Sequence, residues 1–246
     1  MSPLTTKTAL ITGGSRGMGA AIASRLAADG ARVALTYHSS PERANAVVEK
    51  ITADGGTAIA VQAAMEDPKQ VAAAVATTVE TFGGLDILVN NAGLFPYGII
   101  DELTPADYEH TMAVHVRAVF AAAQAAVPSM GAGGRIISVG SSLVERVPVP
   151  GISLYAMSKS ALVGLTKGLA RDLGPRGITA VVVHPGSTDT EMNPADSPEA
   201  EAERALTALG RYGTTEDIAA TVAHLAGPGG AYITGTTITV DGGVSA

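Results

Sequence analysis

The chain contains no cysteine, which excludes disulfides, a thiolate nucleophile and cysteine-ligated zinc. Its five histidines, His38, His110, His115, His184 and His224, show no metal-ligand spacing, so no metal is expected. Only 16 residues are Lys or Arg against 23 Asp or Glu, the net charge is -7, and no basic run occurs. That balance argues against a nucleic-acid partner. The first residues run into an apolar stretch too short for a signal peptide. The most apolar helical stretch, 111–128, carries His115, Arg117 and Gln124, which favours a buried or subunit-interface helix over a membrane span. A cytoplasmic location is the expectation.

What is present is a packed core: 46% of the 246 residues are hydrophobic and 16% charged, with no charge-rich or Ser/Pro tract. One domain over 1–246 is expected. Short β-branched runs at Thr8–Thr12, Arg32–Tyr37, Thr57–Gln62, Ile87–Val89, Arg135–Val139, Thr179–Val183 and Thr236–Val240 read as strands. Helical patterns lie near 17–29, 41–54, 68–82, 105–128, 154–173 and 215–226. This βαβα rhythm predicts an α/β fold with a parallel sheet covered on both faces. The stretch Asn193 to Arg204 breaks the rhythm with Pro194 and Pro198, so 190–210 is expected to be an insertion or lid over a cleft.

Straight after the first strand comes Thr12-Gly13-Gly14-Ser15-Arg16-Gly17-Met18-Gly19, opening a helix. Glycines there let the chain turn sharply and let a pyrophosphate approach backbone N–H groups at the positive helix end. A tight turn with no ligand is the plainer alternative. At the end of the second strand an acidic side chain would accept from a ribose 2′-hydroxyl and repel a 2′-phosphate. This chain has Tyr37-His38-Ser39-Ser40 and no acid. Arg16, with Ser39 and Ser40 as donors, favours NADP(H), and the neutral Tyr37 leaves room for NAD(H). An exposed arginine beside a Ser-rich turn is the alternative.

Tyr155 and Lys159 are four apart, which places both on one helical face. A phenol titrates near pH ~10, and a neighbouring ammonium stabilises its anion, so the pair suits general acid–base work. With Asn90-Asn91-Ala92-Gly93 after the fourth strand, Ser142 thirteen residues before Tyr155, and Pro185-Gly186 after the sixth strand, the chain resembles the short-chain dehydrogenase/reductase family. The resemblance spans nearly the whole length, to Val240-Asp241-Gly242-Gly243, and is greatest to the 3-oxoacyl-carrier-protein reductase and ketoreductase branch.

The resemblance implies a single-domain, Rossmann-type doubly wound sheet of about seven parallel strands, and an oxidoreductase acting on a small carbonyl or alcohol. It makes Tyr155 the general acid/base and has Lys159 bind the nicotinamide ribose and lower the Tyr155 pKa. Ser142 would hold the substrate oxygen, with the adjacent Ser141 as its rival. Asn91, Ala92 and Gly93 would line the adenosine-side ribose, Met65 would lie among the cofactor contacts, and Thr188 and Thr190, after Pro185-Gly186, would hold the carboxamide. A homotetramer is implied, with helices 105–128 and 154–173 as contact faces.

Three positions depart from the family pattern. His115 stands where an Asn usually holds a water beside the lysine; it would keep the relay and add a pH dependence, displace the water, or simply pack. Ala64 replaces an Asp that contacts adenine, a loss of about one hydrogen bond, of order 1 kcal/mol, unless Asp67 compensates. Val181 replaces a strand Asn. His184 and Tyr97 follow strand ends and would edge the substrate cleft or pack in loops. Specificity is expected in the loops near 94–101, 143–153 and 190–210. A cofactor-binding sensor or scaffold with little turnover is the rival reading, and a dehydratase or epimerase of the same family a third.

Overall fold

A computed structural model describes residues 2–246. The strands are Thr8–Ile11 (β1), Arg32–Tyr37 (β2), Thr57–Gln62 (β3), Ile87–Asn90 (β4), Arg135–Val139 (β5), Thr179–Pro185 (β6) and Thr236–Val240 (β7). All seven are parallel, in the order β3-β2-β1-β4-β5-β6-β7. Each lies within two residues of its expected bounds; the inner strands are largely buried and read as apolar runs, while the edge strands β3 and β7 are only half-buried.

Alternate strand residues feed two separate cores. Ile11, Val33, Leu35, Val89, Ile137 and Val183 face the helices Gly17–Ala28 (α1), Pro41–Ala53 (α2) and, later in the chain, Thr215–Ala226. Leu10, Ala34, Leu88, Ile136 and Ala180 face Pro68–Phe82 (α3) and the Ala-rich helix before β5. Side chains in the first core include Ile22 and Leu26 of α1, both 0% exposed, so helices cover both faces of the sheet.

The stretch expected as one helix at 105–128 is four pieces: Pro105–Met112 (α4), a π-helical turn at Ala113–Arg117, Ala118–Ala126 (α5) and a 3-10 turn at Val127–Ser129. Thr104 and Asp107 form a reciprocal cap at the start of α4. The π turn is centred on His115, and such turns frequently sit at functional sites. After Ser153–Leu173 (α6), the irregular segment beyond β6 contains a short helix not expected from the sequence, Ala200–Leu206 (α7), before the last helix, Thr215–Ala226 (α8). Among the described residues no helix is long and apolar enough to cross a membrane, and no cluster of three metal-ligating side chains occurs.

Sheet order reverses between β1 and β4, so the loops leaving these two strands diverge and open a crevice at their carboxyl ends.

Candidate active site

The two diverging loops are stitched together. Thr12 Oγ1 accepts from the N–H groups of Asn91 at 3.0 Å and Ala92 at 3.1 Å, and Asn91 Nδ2 donates to the carbonyls of Thr12 at 2.9 Å and Gly13 at 3.0 Å. A side chain at Gly19 would run into the Gly13 carbonyl and the Asn91 amide, and one at Gly13 would reach 2.9 Å from Ala92 Cα. Glycine is therefore required by this close approach as well as by any ligand. Thr36 of β2 adds a hydroxyl that accepts from Gly13 N–H at 3.0 Å.

The resulting cleft encloses about 490 Å³. Its walls include Gly13, Ser15, Arg16, Gly17, Met18 and Gly19 from the first turn, and Tyr37, Ser39 and Ser40 after β2. Met65, Asn91, Ala92 and Gly93 complete one side; Tyr155, Lys159 and Thr190 close the other. No side chain caps the N-terminus of α1, which begins on this cleft at Arg16 and Gly17. A glycine-lined cleft that receives an uncapped helix N-terminus, with Arg16, Ser39 and Ser40 at one end, fits a phosphorylated dinucleotide.

Other expected contacts are not at the wall. Pro185 is buried in register with Val240, Gly186 N–H donates to the Val240 carbonyl at 3.0 Å, and the buried Thr188 donates its hydroxyl to Gly186 C=O at 3.0 Å. These three anchor the segment that carries Thr190 and do not line the cleft themselves. The Asp67 carboxylate caps α3, accepting from Lys69 N at 2.9 Å and Gln70 Nε2 at 3.1 Å.

Of the two adjacent serines, Ser141 is the one whose hydroxyl lies near enough to the Tyr155 phenol to act on its pKa. The loop after β5 turns at Ser141, whose side chain caps the 3-10 turn Ser142–Val144 by accepting from Leu143 N at 3.2 Å. Ser142, the first residue of that turn, is buried. Ser141 stands one residue farther from Tyr155 than Ser142 does. Ser141 N–H in turn donates to His184 Nδ1 at 2.9 Å. His184 is fully buried, and its Nε2 has no hydrogen-bond partner. Instead of edging the cleft, it supports the loop that presents Ser141. Tyr97 is 67% exposed and lies over Gly151.

Burial raises the Tyr155 phenol above its usual pKa, and the Ser141 hydroxyl near it pulls the other way. The Lys159 ammonium donates to Val139 C=O at 3.0 Å and lies 5.8 Å from the Tyr155 ring centroid. Burial brings Lys159 itself down to about 8.

His115 is 1% exposed and its imidazole is fully engaged. Nε2 accepts from Leu94 N–H at 3.0 Å, so the ring proton is on Nδ1, 2.8 Å from Ser158 Oγ. The Ser158 hydroxyl donates to the Tyr155 carbonyl at 2.7 Å. Burial first, and then the Lys159 charge, bring the His115 pKa down to about 3. Of the readings the sequence left open for His115, this geometry accords with the packed one: a neutral imidazole that bridges the Asn91–Leu94 loop and α6.

Sequence reasoning missed Glu191 and Met192, which line the cleft beside Thr190. Glu191 lies far along the chain from its partners Arg16 and Arg43, and no local pattern marks such a pair.

A family model described as Enoyl-(Acyl carrier protein) reductase matches residues 13–245. A cyclic-di-GMP-binding biofilm dispersal mediator protein of Escherichia coli is 43% identical over 246 residues, covering 100% of both chains. A 3-oxoacyl-[acyl-carrier-protein] reductase of Staphylococcus aureus is 42% identical over 97% of this chain and 98% of its own. A short chain dehydrogenase of Burkholderia cenocepacia, solved in complex with NADP, superposes with a TM-score of 0.98 at 59% identity, covering 99% of this chain and 100% of that one. With the sheet order, the glycine cradle and the Tyr155 and Lys159 pair in the cleft, these likenesses establish that the chain belongs to the short-chain dehydrogenase/reductase family.

Proposed function

We propose that this oxidoreductase is an NADP(H)-dependent ketoreductase in which Tyr155 is the proton donor to the substrate oxygen. The observation that carries the reading is that Tyr155 and Lys159, with Ser141 beside the phenol, lie in the cleft whose other end holds Arg16, Ser39 and Ser40. NADPH, when bound, supplies a hydride to the carbonyl carbon.

Ser141 donates to the carbonyl oxygen and orients it against the phenol. Tyr155 passes its proton to the oxygen as the alcohol forms. The raised phenol pKa keeps Tyr155 protonated near neutrality, as a donor in the reductive direction must be. Lys159 places positive charge near the ring face, and its attachment to Val139 C=O fixes it there.

Phe95 packs against Tyr155 with ring centroids 4.8 Å apart and is 45% exposed, while Met192 lines the cleft and is 57% exposed. An apolar group beside the carbonyl fits this mouth. The segment 190–210 is proposed to cover it. A homotetramer with α4, α5 and α6 at its contacts is supported by exposed Tyr108, Phe120 and Met157 on those helices, and sedimentation at micromolar concentration tests it.

The test is a panel of aryl and alkyl ketones with NADPH, followed by the absorbance of the reduced nicotinamide. Turnover at rates typical of enzymes, about 1 s⁻¹ or more on some member, supports ketone reduction. Tight NADPH binding with no turnover favours the sensor reading. The likeness to a protein named for binding cyclic di-GMP gives that reading a specific probe, and titration with this dinucleotide distinguishes the two.

A further inference from the structure

Two arginines from different elements converge on one carboxylate oxygen across the mouth of the cleft. Arg16 belongs to the turn after β1 and Arg43 to the first turn of α2; Glu191 Oε2 lies 3.5 Å from Arg16 Nη1 and 2.5 Å from Arg43 Nη1. Glu191 follows Thr190 in the segment after β6, so this contact ties the substrate side of the cleft to the side where β2 ends. It is the only acid paired with either arginine among the described residues. The arginines hold the Glu191 carboxyl below the usual range, so the group is charged at neutral pH.

The three side chains are 50 to 58% exposed, and exposed ion pairs contribute little to stability. They also exchange partners readily. Two guanidinium groups around one carboxylate leave a surplus positive charge. A phosphate monoester carries a charge of about −1.5 to −2 at pH 7 and offers three acceptor oxygens, so it neutralises the pair better and can engage both forks at once. Ser39 and Ser40, on the cleft wall beside Arg16, add hydroxyl donors for the same group.

We propose that Glu191 is a displaceable latch and Arg43 a second cofactor-specificity residue: the 2′-phosphate of the dinucleotide replaces the Glu191 carboxylate on Arg16 and Arg43, freeing the segment 190–206 from the α2 side. A dinucleotide without that phosphate leaves the latch closed. The cofactor's phosphate thereby sets the freedom of the segment that covers the substrate mouth. This rests on the NADP(H) reading above.

The experiment uses calorimetric titration of the full chain, its Glu191→Gln and its Arg43→Ala variants with NADPH, NADH and adenosine 2′-monophosphate. Amide hydrogen exchange of 190–206 is followed in parallel. Removing the competing carboxylate tightens NADPH and adenosine 2′-monophosphate by about three- to tenfold and leaves NADH unchanged; Arg43→Ala weakens the same two ligands by about tenfold. In the unsubstituted chain, exchange in 190–206 is faster with NADPH bound than with NADH bound, and Glu191→Gln removes the difference. A chain that prefers NADPH but whose affinities are unmoved by both substitutions, or whose exchange is equal with the two cofactors, overturns the latch alone. A chain that binds NADH as well as NADPH and ignores adenosine 2′-monophosphate overturns the NADP(H) reading, and the latch with it.

Discussion

The main-chain N–H of Leu94 donates to Nε2 of the buried His115 at 3.0 Å, and this one bond fixes the imidazole as its Nδ1–H tautomer. A proton on Nε2 would set two donors against each other. The folded chain therefore keeps His115 neutral, with its pKa down at about 3 against 6.5 for an exposed imidazole. The unfolded chain takes up the proton first as pH falls. Stability is then unaffected by this group above about pH 6.5 and drops below it, by up to about 1.4 kcal/mol per pH unit until the folded form protonates. His115→Asn, which cannot titrate, is expected to flatten the acid limb between pH 6.5 and 4 in urea unfolding. An unchanged limb would show that other groups set it.

The Ser141 assignment is tested against Ser142 directly. Ser141→Ala is expected to lower kcat/KM for a ketone by about ten- to a hundredfold, since it removes a donor to the developing charge. Ser142→Ala should change it less than about threefold. The reverse ranking would return the role to Ser142. His184→Ala offers a control on how Ser141 is held: it removes the acceptor for Ser141 N–H and should lower kcat without changing NADPH affinity.

The sequence left the choice between Ser142 and Ser141 open. The adjacent pair is chemically identical, and the choice depends on whether Gly140 extends the loop by one residue before the 3-10 turn begins at Ser142. The inner strands were legible because burial on both sheet faces writes itself as apolar runs. The cradle was legible because close approach of Gly13 and Gly19 to the Asn91-Ala92 loop demands glycine at set spacings. The break of helix 105–128 at Ala113–Arg117 was not, since a π turn changes the hydrogen-bond ladder without leaving a proline or glycine to mark it. The contact of Glu191 with Arg43 likewise arises from tertiary placement alone.

Tyr155→Phe retains the ring that packs on Phe95 and removes only the hydroxyl. It is expected to bind NADPH within about twofold of the parent and to lose ketone reduction by at least about a hundredfold, the contribution typical of a positioned proton donor. Single-turnover measurement with preloaded NADPH separates the two effects. A rate close to the parent's would remove Tyr155 from the mechanism.

Cofactor choice turns on Arg16, which lines the cleft with Ser39 and Ser40 and has Glu191 3.5 Å from its guanidinium. If Arg16 meets a 2′-phosphate, Arg16→Ala removes a charge-assisted contact of about 1.5–3 kcal/mol and lowers kcat/KM with NADPH by roughly ten- to a hundredfold. NADH lacks the phosphate, so its kcat/KM should hardly move, and the neutral Tyr37 at the end of β2 lets some NADH turnover persist in parent and variant alike. Arg16 is also the first residue of the α1 terminus, where its backbone and not its side chain shapes the turn, so alanine there leaves the cradle intact. Steady-state kinetics with both cofactors decides the matter: equal losses on NADPH and NADH would make Arg16 a structural residue of the turn and leave the 2′-phosphate site without its first cation.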